Sequence, residues 1–311
     1  MSFDQIEHIS SPTGADLALR IAAIPRAKAV IQINHGLAEH SGRYSRFAAF
    51  MNARCYTILA NDHRGHGQTI DFATRNGDLA RRNEANLMIS DSLFVLEEAA
   101  RRFPCLPIIT FGHSMGGLIA LNLIGKFPGK LQGAAIWNAN FSARLQGRLA
   151  QAILAWERFR RGSDVPSSML PKLTFRAWGK AIENARTDFD WLSRDPEEVD
   201  AYIADPLCGW DASVALWQDI FTLVFNGPSK ANLDAIPHDL PLHLVGGAAD
   251  PATNNGDAVK QLRDILTGAG FLDVTTKIYA QTRHESLNDV NRETVMTEFA
   301  DWADTITQRV T

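Results

Sequence analysis

An α/β fold built on a mostly parallel sheet is what this sequence predicts, and three observations carry that expectation. Short apolar runs of strand length recur along the 311 residues, with amphipathic helical stretches between them. The segment Gly112-His113-Ser114-Met115-Gly116 joins one such run to an apolar helix. From 141 to 236 the strand signal stops and only helical stripes remain. Strand–helix alternation implies parallel strands with helices on both faces. The helical stretch then reads as an insertion, most simply a lid, in a core made of 1–140 and 237–311.

Residues 5–10 and 16–24 alternate well enough for an antiparallel pair of strands. Residues 30–34 and 56–60 are short, apolar and β-rich, as buried strands are. Between them, Tyr44, Phe47, Ala48 and Met51 recur at helical spacing within 43–53. Residues 84–103 make a longer amphipathic helix with Leu87, Ser90 or Asp91, Phe94, Val95 and Ala99 in its stripe, ended by Pro104. A strand over 107–112 leads into the serine turn, and the helix after it, 115–127, stops at Pro128-Gly129. The strand 131–137 precedes the helical stretch. Strands return at 241–245 and 274–279 with a helix at 256–267 between them, and a last helix covers 291–309.

Composition narrows the function. The formal charge of −4 comes with no basic stripe, so no nucleic-acid partner is expected. Cys55, Cys105 and Cys208 are scattered, odd in number and without CxxC spacing. This argues against a disulfide framework and a structural zinc, and fits a reducing compartment. The first residues show no basic stretch followed by an apolar one, and no run is long enough to span a bilayer. A soluble, cytoplasmic protein is expected.

A serine hydroxyl is a poor nucleophile at neutral pH and needs a base to take its proton and a carboxylate to orient that base. On a sharp strand-to-helix turn, Gly112 and Gly116 leave Ser114 exposed above the sheet, next to a helix N-terminus. The bland alternative is a tight structural turn. Asp250 follows the strand 241–245 and His284 follows 274–279, so both lie past strand C-terminal ends, on the edge that carries Ser114. That edge is where open α/β sheets place their ligands. Asp257 and Asp273 are less well placed, and His238 and His243 precede the end of their strand. An oxyanion needs preorganised N–H donors. Met115, next to the nucleophile, offers one, and Leu37, in the loop after 30–34, offers the other, with Gly36 allowing close approach. Such chemistry needs no metal or cofactor, and none is expected.

Three motifs carry a resemblance. The run His35-Gly36-Leu37-Ala38-Glu39-His40-Ser41-Gly42-Arg43-Tyr44 looks like the oxyanion loop of the monoacylglycerol lipase and lysophospholipase branch of the α/β-hydrolases. Asp62-His63-Arg64-Gly65-His66-Gly67 resembles that branch's D-x-R-G-H-G segment, and Gly112 to Gly117 its nucleophile turn. The resemblance spans nearly the whole chain and is weak over 141–236. It implies an α/β-hydrolase fold, with a mostly parallel eight-stranded sheet, flanking helices and a helical lid. It implies Ser114, Asp250 and His284 as the catalytic set, Leu37 and Met115 as oxyanion donors, and His35, Gly36, Glu39 and His113 in support. The 62–67 segment reads as a brace for the oxyanion loop. Glu39 and Arg43 are expected to pair with each other or with Arg64, contact of Glu39 with substrate being the other reading. The acid loop, Gly246 to Asp250, is smaller and less charged than its relatives' form but keeps the Asp-Pro step.

The expected activity is hydrolysis of carboxylic esters with apolar acyl chains, of the monoacylglycerol or lysophospholipid type. Thioesterase, aminopeptidase, perhydrolase and non-catalytic ligand binder are the alternatives. The helical stretch holds Trp156, Trp178, Trp191, Trp210 and Trp217, which serve equally as a small core of their own or as the wall of an acyl pocket. Within 144–161, Leu145, Leu149, Ala152, Ile153, Trp156 and Phe159 make one apolar stripe flanked by Arg144, Arg148, Arg158, Arg160 and Arg161. That pattern suits a lid helix packed on the body, or peripheral contact with an anionic membrane surface.

Overall fold

The computed structural model describes residue 3 and residues 5–69, 84–142 and 145–310. The chain opens with β1 (Ile6–Ser10), β2 (Asp16–Ala22) and β3 (Ala29–Asn34), then α1 (Ser45–Ala53) and β4 (Tyr56–Asn61). Next come α2 (Glu84–Arg102), β5 (Ile108–His113), α3 (Met115–Lys126) and β6 (Gly133–Trp137). Six helices follow: α4 (Leu145–Arg161), α5 (Leu170–Leu173), α6 (Phe175–Lys180), α7 (Pro196–Ala204), α8 (Val214–Asn226) and α9 (Lys230–Leu233). The chain closes with β7 (Leu242–Gly247), α10 (Asp257–Gly268), β8 (Val274–Tyr279) and α11 (Arg292–Val310).

The eight strands form one sheet in the order β1-β2-β4-β3-β5-β6-β7-β8. The first two pairings are antiparallel and the rest parallel. Strands β3 to β7 are buried along their whole length, which is why they read as continuous apolar runs. At the far edge, β8 alternates between half-buried and exposed residues up to the buried Tyr279. Alternate side chains feed two layers. Ile31, Ile33, Phe111 and Trp137 pack with Phe47 and Met51 of α1 and Phe299 of α11. Val30, Ile108 and Ile136 pack with α2, α3, α8 and α10 through Val95, Ile119, Leu223 and Leu262. Parallel register, with Asn34 opposite Gly112 and Gly247 opposite Tyr279, brings the loops after β3, β5, β7 and β8 to one edge.

Every expected strand is present, with ends shifted by one or two residues, and 141–236 contains helices with one isolated bridge, Pro166 to Ser213, among the described residues. One expectation is overturned. Most of the apolar stripe of α4 does not pack on the body: Leu149 is 63% exposed, Trp156 51% and Phe159 89%, although Ile153 packs against the core. The packing face lies one step round the helix, at Ala150, Leu154 and Glu157. Glu157 is buried because the 167–168 turn satisfies it, Ser167 Oγ donating at 2.5 Å and Ser168 N and Oγ at 2.8 and 2.6 Å. Arg158 donates to Gln218 of α8, and Arg160 lies over the Trp156 ring at 5.0 Å. Arg144 and the side chain of Leu145 lie outside the described residues.

Candidate active site

Ser114 stands at the tip of the turn between β5 and α3 with φ 54° and ψ −117°. Such a conformation costs a non-glycine residue about 1–3 kcal/mol and persists where its surroundings impose it. Here they do. A Cβ at Gly112 would lie 2.1 Å from the Gly116 carbonyl oxygen, and one at Gly116 would lie 1.9 Å from that of Asn34. The Ser114 N–H donates to Trp137 O at 2.9 Å, tying the turn to the sheet.

Asp250 is fully buried after β7. Its Oδ1 accepts from Ala252 N at 2.9 Å, and its Oδ2 accepts from Thr253 Oγ1 at 2.8 Å, Asn138 Nδ2 at 3.2 Å and His284 Nδ1 at 3.0 Å. Burial pushes this carboxyl group up, but the His284 ring and the converging donors outweigh burial and hold it below the usual carboxylate range. With Nδ1 donating, His284 keeps a free lone pair on Nε2. Ser114 and His284 line one cavity of about 20 Å³, together with Leu37, Phe175, Trp191 and Tyr202. The two side chains are not hydrogen-bonded to each other in this arrangement. Without substrate, such contacts are often long and tighten only in the reacting complex. Leu37, in the loop after β3, and Met115, the first residue of α3, have N–H groups without an acceptor among the described residues.

Around this loop runs a buried network. His63 N–H donates to His35 Nε2 at 2.9 Å, so His35 Nδ1 carries the proton and donates to Gly36 O at 2.7 Å. Gly36 N and Tyr44 Oη donate to Glu39 Oε1 at 2.6 and 3.0 Å. Arg43 bridges two carboxylates, donating to Glu39 Oε2 at 2.9 Å and to both oxygens of Glu285 at 2.5 and 2.7 Å. His113 points Nδ1 at Glu39 Oε1, 3.4 Å away, and Nε2 at the His284 carbonyl, 3.1 Å away. Both ring nitrogens therefore face acceptors, which favours the doubly protonated ring. Burial lowers the pKa of this ring, but Glu39 outweighs burial and raises it. The Glu39 carboxyl, pushed up by burial, is carried well below its usual range by His113 and Arg43. Two anions, Glu39 and Glu285, thus face two cations, Arg43 and His113.

The expected Glu39–Arg43 pair is present, while Arg64 turns away to Asp91 at 2.7 Å and Glu84 at 3.6 Å. Asp62 accepts from Ser41 N and Oγ, so the 62–67 segment braces the loop as expected. Glu285 is a residue that sequence reasoning missed, because a partner 242 positions from Arg43 leaves no local trace. Tyr202 was missed for the same reason, its phenol meeting the loop 164 positions away. His243 sits inside the core, accepting from Trp137 Nε1 at 3.0 Å.

Burial lowers the pKa of His35, His63, His66 and His243, the last two to about 3. The unfolded chain protonates these rings near pH 6.5 and the folded chain resists, so the folded state binds fewer protons. Stability is therefore complete above pH 6.5 and falls towards pH 3, by up to ~1.4 kcal/mol per pH unit for each ring. His113, raised, opposes the trend as one ring against four. Urea midpoints are expected to drop between pH 7 and pH 5, before the carboxylates titrate, and a flat profile there would contradict the assignment.

The sheet order, the serine turn and the loops gathered at one edge define an α/β-hydrolase. Residues 25–291 match the family model described as Hydrolase_4, Serine aminopeptidase, S33, and the chain belongs to that family, in its monoacylglycerol-lipase-like branch. It is 28% identical over 258 residues to human monoglyceride lipase, covering 83% of this chain and 75% of that protein. It is 28% identical over 276 residues to the monoacylglycerol lipase of Mycolicibacterium smegmatis, covering 88% of each. A thermostable carboxyl esterase from Bacillus coagulans superposes with a TM-score of 0.88 at 24% identity, over 97% of this chain and 98% of that one. The protein is thus a hydrolase, and no described helix is long and apolar enough to cross a membrane.

Proposed function

We propose that the protein is a serine hydrolase of carboxylic esters with apolar acyl chains, of the monoacylglycerol or lysophospholipid kind, acting through an acyl-enzyme without a cofactor. The observation that carries this reading is the buried Asp250–His284 pair, sharing a cavity with Ser114 beside two N–H groups that have no acceptor among the described residues. Ser114 Oγ attacks the ester carbonyl while His284 Nε2 takes its proton, and Asp250 stabilises the imidazolium. The N–H groups of Leu37 and Met115 hold the oxyanion. His284 then protonates the leaving alcohol as the C–O bond breaks. Water repeats the sequence, releasing the acid and restoring Ser114.

Charge balance supports esters over N-terminal amides as substrates. An aminopeptidase needs a free carboxylate for the substrate's ammonium group. Glu39 and Glu285 are already matched by Arg43 and His113. Glu183, Asp188, Asp190, Glu197 and Glu198 do not line the Ser114 cavity. This polar floor suits a neutral hydroxylic leaving group. Phe175 and Trp191 wall the cavity and also pack with Trp178, so the aromatics serve both as core and as apolar wall. A cavity of about 20 Å³ cannot hold an acyl chain, so residues 141–236 act as a lid that shifts to admit one. The three free cysteines, two of them exposed, suit a reducing, cytoplasmic setting.

The test is a turnover profile over p-nitrophenyl esters and monoacylglycerols of rising chain length, beside a lysophospholipid and an aminoacyl amide. Glyceryl or lysolipid esters are expected to be the best substrates. Preference for the amide would overturn the reading, and a folded protein that no fluorophosphonate labels would favour a ligand binder.

The exposed Leu149, Trp156 and Phe159, with Arg148, Arg160 and Arg161 beside them, support peripheral docking of α4 on anionic bilayers. Flotation with anionic vesicles is expected to carry the wild type and to lose the double variant Trp156→Glu, Phe159→Glu. That variant should still turn over p-nitrophenyl butyrate at the wild-type rate. Equal flotation of both proteins, or of neither, would remove the docking role.

A further inference from the structure

The loop bearing Leu37 is gripped from two sides. Beneath it lies the Glu39 network. Above it, the Ala38 carbonyl accepts two hydrogen bonds, from Tyr202 Oη at 2.9 Å and from Gly209 N at 3.0 Å, both contributed by the helical segment between β6 and β7. Two residues on, His40 Nδ1 accepts from Gly42 N at 3.2 Å, so its proton sits on Nε2 and is donated to Asp205 Oδ2 at 2.9 Å.

Ala38 gives these contacts a purpose. It is fully buried and has φ 56°, in the left-handed region. Alanine disfavours that region because its Cβ crowds the following carbonyl oxygen, whereas glycine enters it freely. Relaxation of Ala38 to negative φ would rotate the peptides on either side of it and displace Leu37, whose own N–H lies one peptide further back. Alanine's own preference therefore does not favour this turn at position 38, and two donors reaching its carbonyl from a distant segment help to hold it there.

The same segment also grips the histidine loop. His284 N and Glu285 N donate to the carbonyls of Trp191 and Leu192 at 3.3 and 2.7 Å. Arg283 Nη1 donates to those of Asp190 and Ser193 at 2.6 and 2.8 Å. Residues 190–209 thus touch both the loop that carries the oxyanion donor and the loop that carries the base.

We propose that Tyr202 is a positioning residue. With the Gly209 N–H, it latches the Ala38 carbonyl so that the left-handed turn persists and the Leu37 N–H stays aimed at the oxyanion. The helical segment is then a structural part of the oxyanion hole as well as a cover over it. The inference rests on the serine chemistry proposed above and adds to it the element that sets the donor.

The experiment uses Tyr202→Phe, which keeps the ring over the Arg43 guanidinium, 4.9 Å away, and removes only the hydroxyl. One of two donors is lost, so a fall of about tenfold in kcat/KM is expected, carried mainly by kcat. The fall should be equal for p-nitrophenyl butyrate and a monoacylglycerol. It should be matched by a similar loss of affinity for a trifluoromethyl ketone, whose hemiketal oxyanion fills the same hole. Adding Ala38→Gly should restore most of the rate, since glycine adopts the left-handed turn without the Cβ penalty that the latch offsets. A loss confined to the glyceryl ester would instead make Tyr202 a contact of the leaving group and overturn the proposal. So would unchanged inhibitor affinity, or no recovery in the double variant. Wild-type protein that cleaves no ester and takes up no fluorophosphonate would defeat the underlying chemistry, and the latch with it.

Discussion

Replacing Ser114 by alanine is expected to lower ester turnover by about 10⁴- to 10⁶-fold while leaving the protein folded. The hydroxyl makes no hydrogen bond that supports the turn, whose shape is set by the Ser114 N–H on Trp137 O and by the crowding around Gly112 and Gly116. Alanine meets the same backbone constraint at φ 54° as serine does. Melting temperature should therefore stay put while the nucleophile disappears. The N–H groups of Leu37 and Met115 remain, so a weak rate above that of water is left. Paired labelling with a fluorophosphonate reads the result directly: wild type reacts and the variant does not. A variant that keeps more than a few per cent of wild-type turnover would move the nucleophile elsewhere.

Asp250→Asn is expected to cost about 10²- to 10³-fold, and the hydrogen-bond census says why it stops there. Oδ2 accepts from three donors, Thr253 Oγ1, Asn138 Nδ2 and His284 Nδ1, and Oδ1 from one, Ala252 N. An asparagine oxygen settles where three donors converge, leaving its NH₂ against the single Ala252 N–H. His284 then keeps the proton on Nδ1 and the lone pair on Nε2. What is lost is the charge that stabilises the imidazolium, while the ring escapes the reversed tautomer that costs about 10⁴-fold where it occurs. The opposed N–H groups carry their own penalty, about 1–3 kcal/mol of stability for a buried unsatisfied donor. Steady-state kinetics with urea unfolding on one preparation checks both parts. A loss as large as that of Ser114→Ala would mean that the amide had flipped.

Much of this is legible in the sequence. A strand buried on both faces is apolar at most positions, and β3 and β5 show it in Ala-Val-Ile and Ile-Ile, although Gln32, Asn34 and Thr110 are buried in them too. The serine turn was legible because glycine is the residue that fits where a backbone passes at about 2 Å from a would-be Cβ. Asp250 and His284 were legible by place, since loops that leave parallel strands at their C-terminal ends share one edge. The face of α4 was not. Two stripes lie on that helix, and the more apolar one was the natural choice. A buried glutamate reversed it, because Glu157 finds its donors in the 167–168 turn. Arg43 likewise offered Glu39 four residues away and concealed Glu285.

The chain's own order of residues determined the layered sheet, the place of Ser114 on its turn and the edge on which Asp250 and His284 stand, because hydropathy period, glycine sterics and strand direction are local properties. Only the tertiary structure decided which charges cancel beneath the site, which face α4 shows to solvent, and what holds Ala38 in a turn it disfavours. Those outcomes depend on donors and acceptors from 10 to 242 positions apart meeting in an interior where an unpaired polar group is costly. No stretch of sequence records which of them will meet.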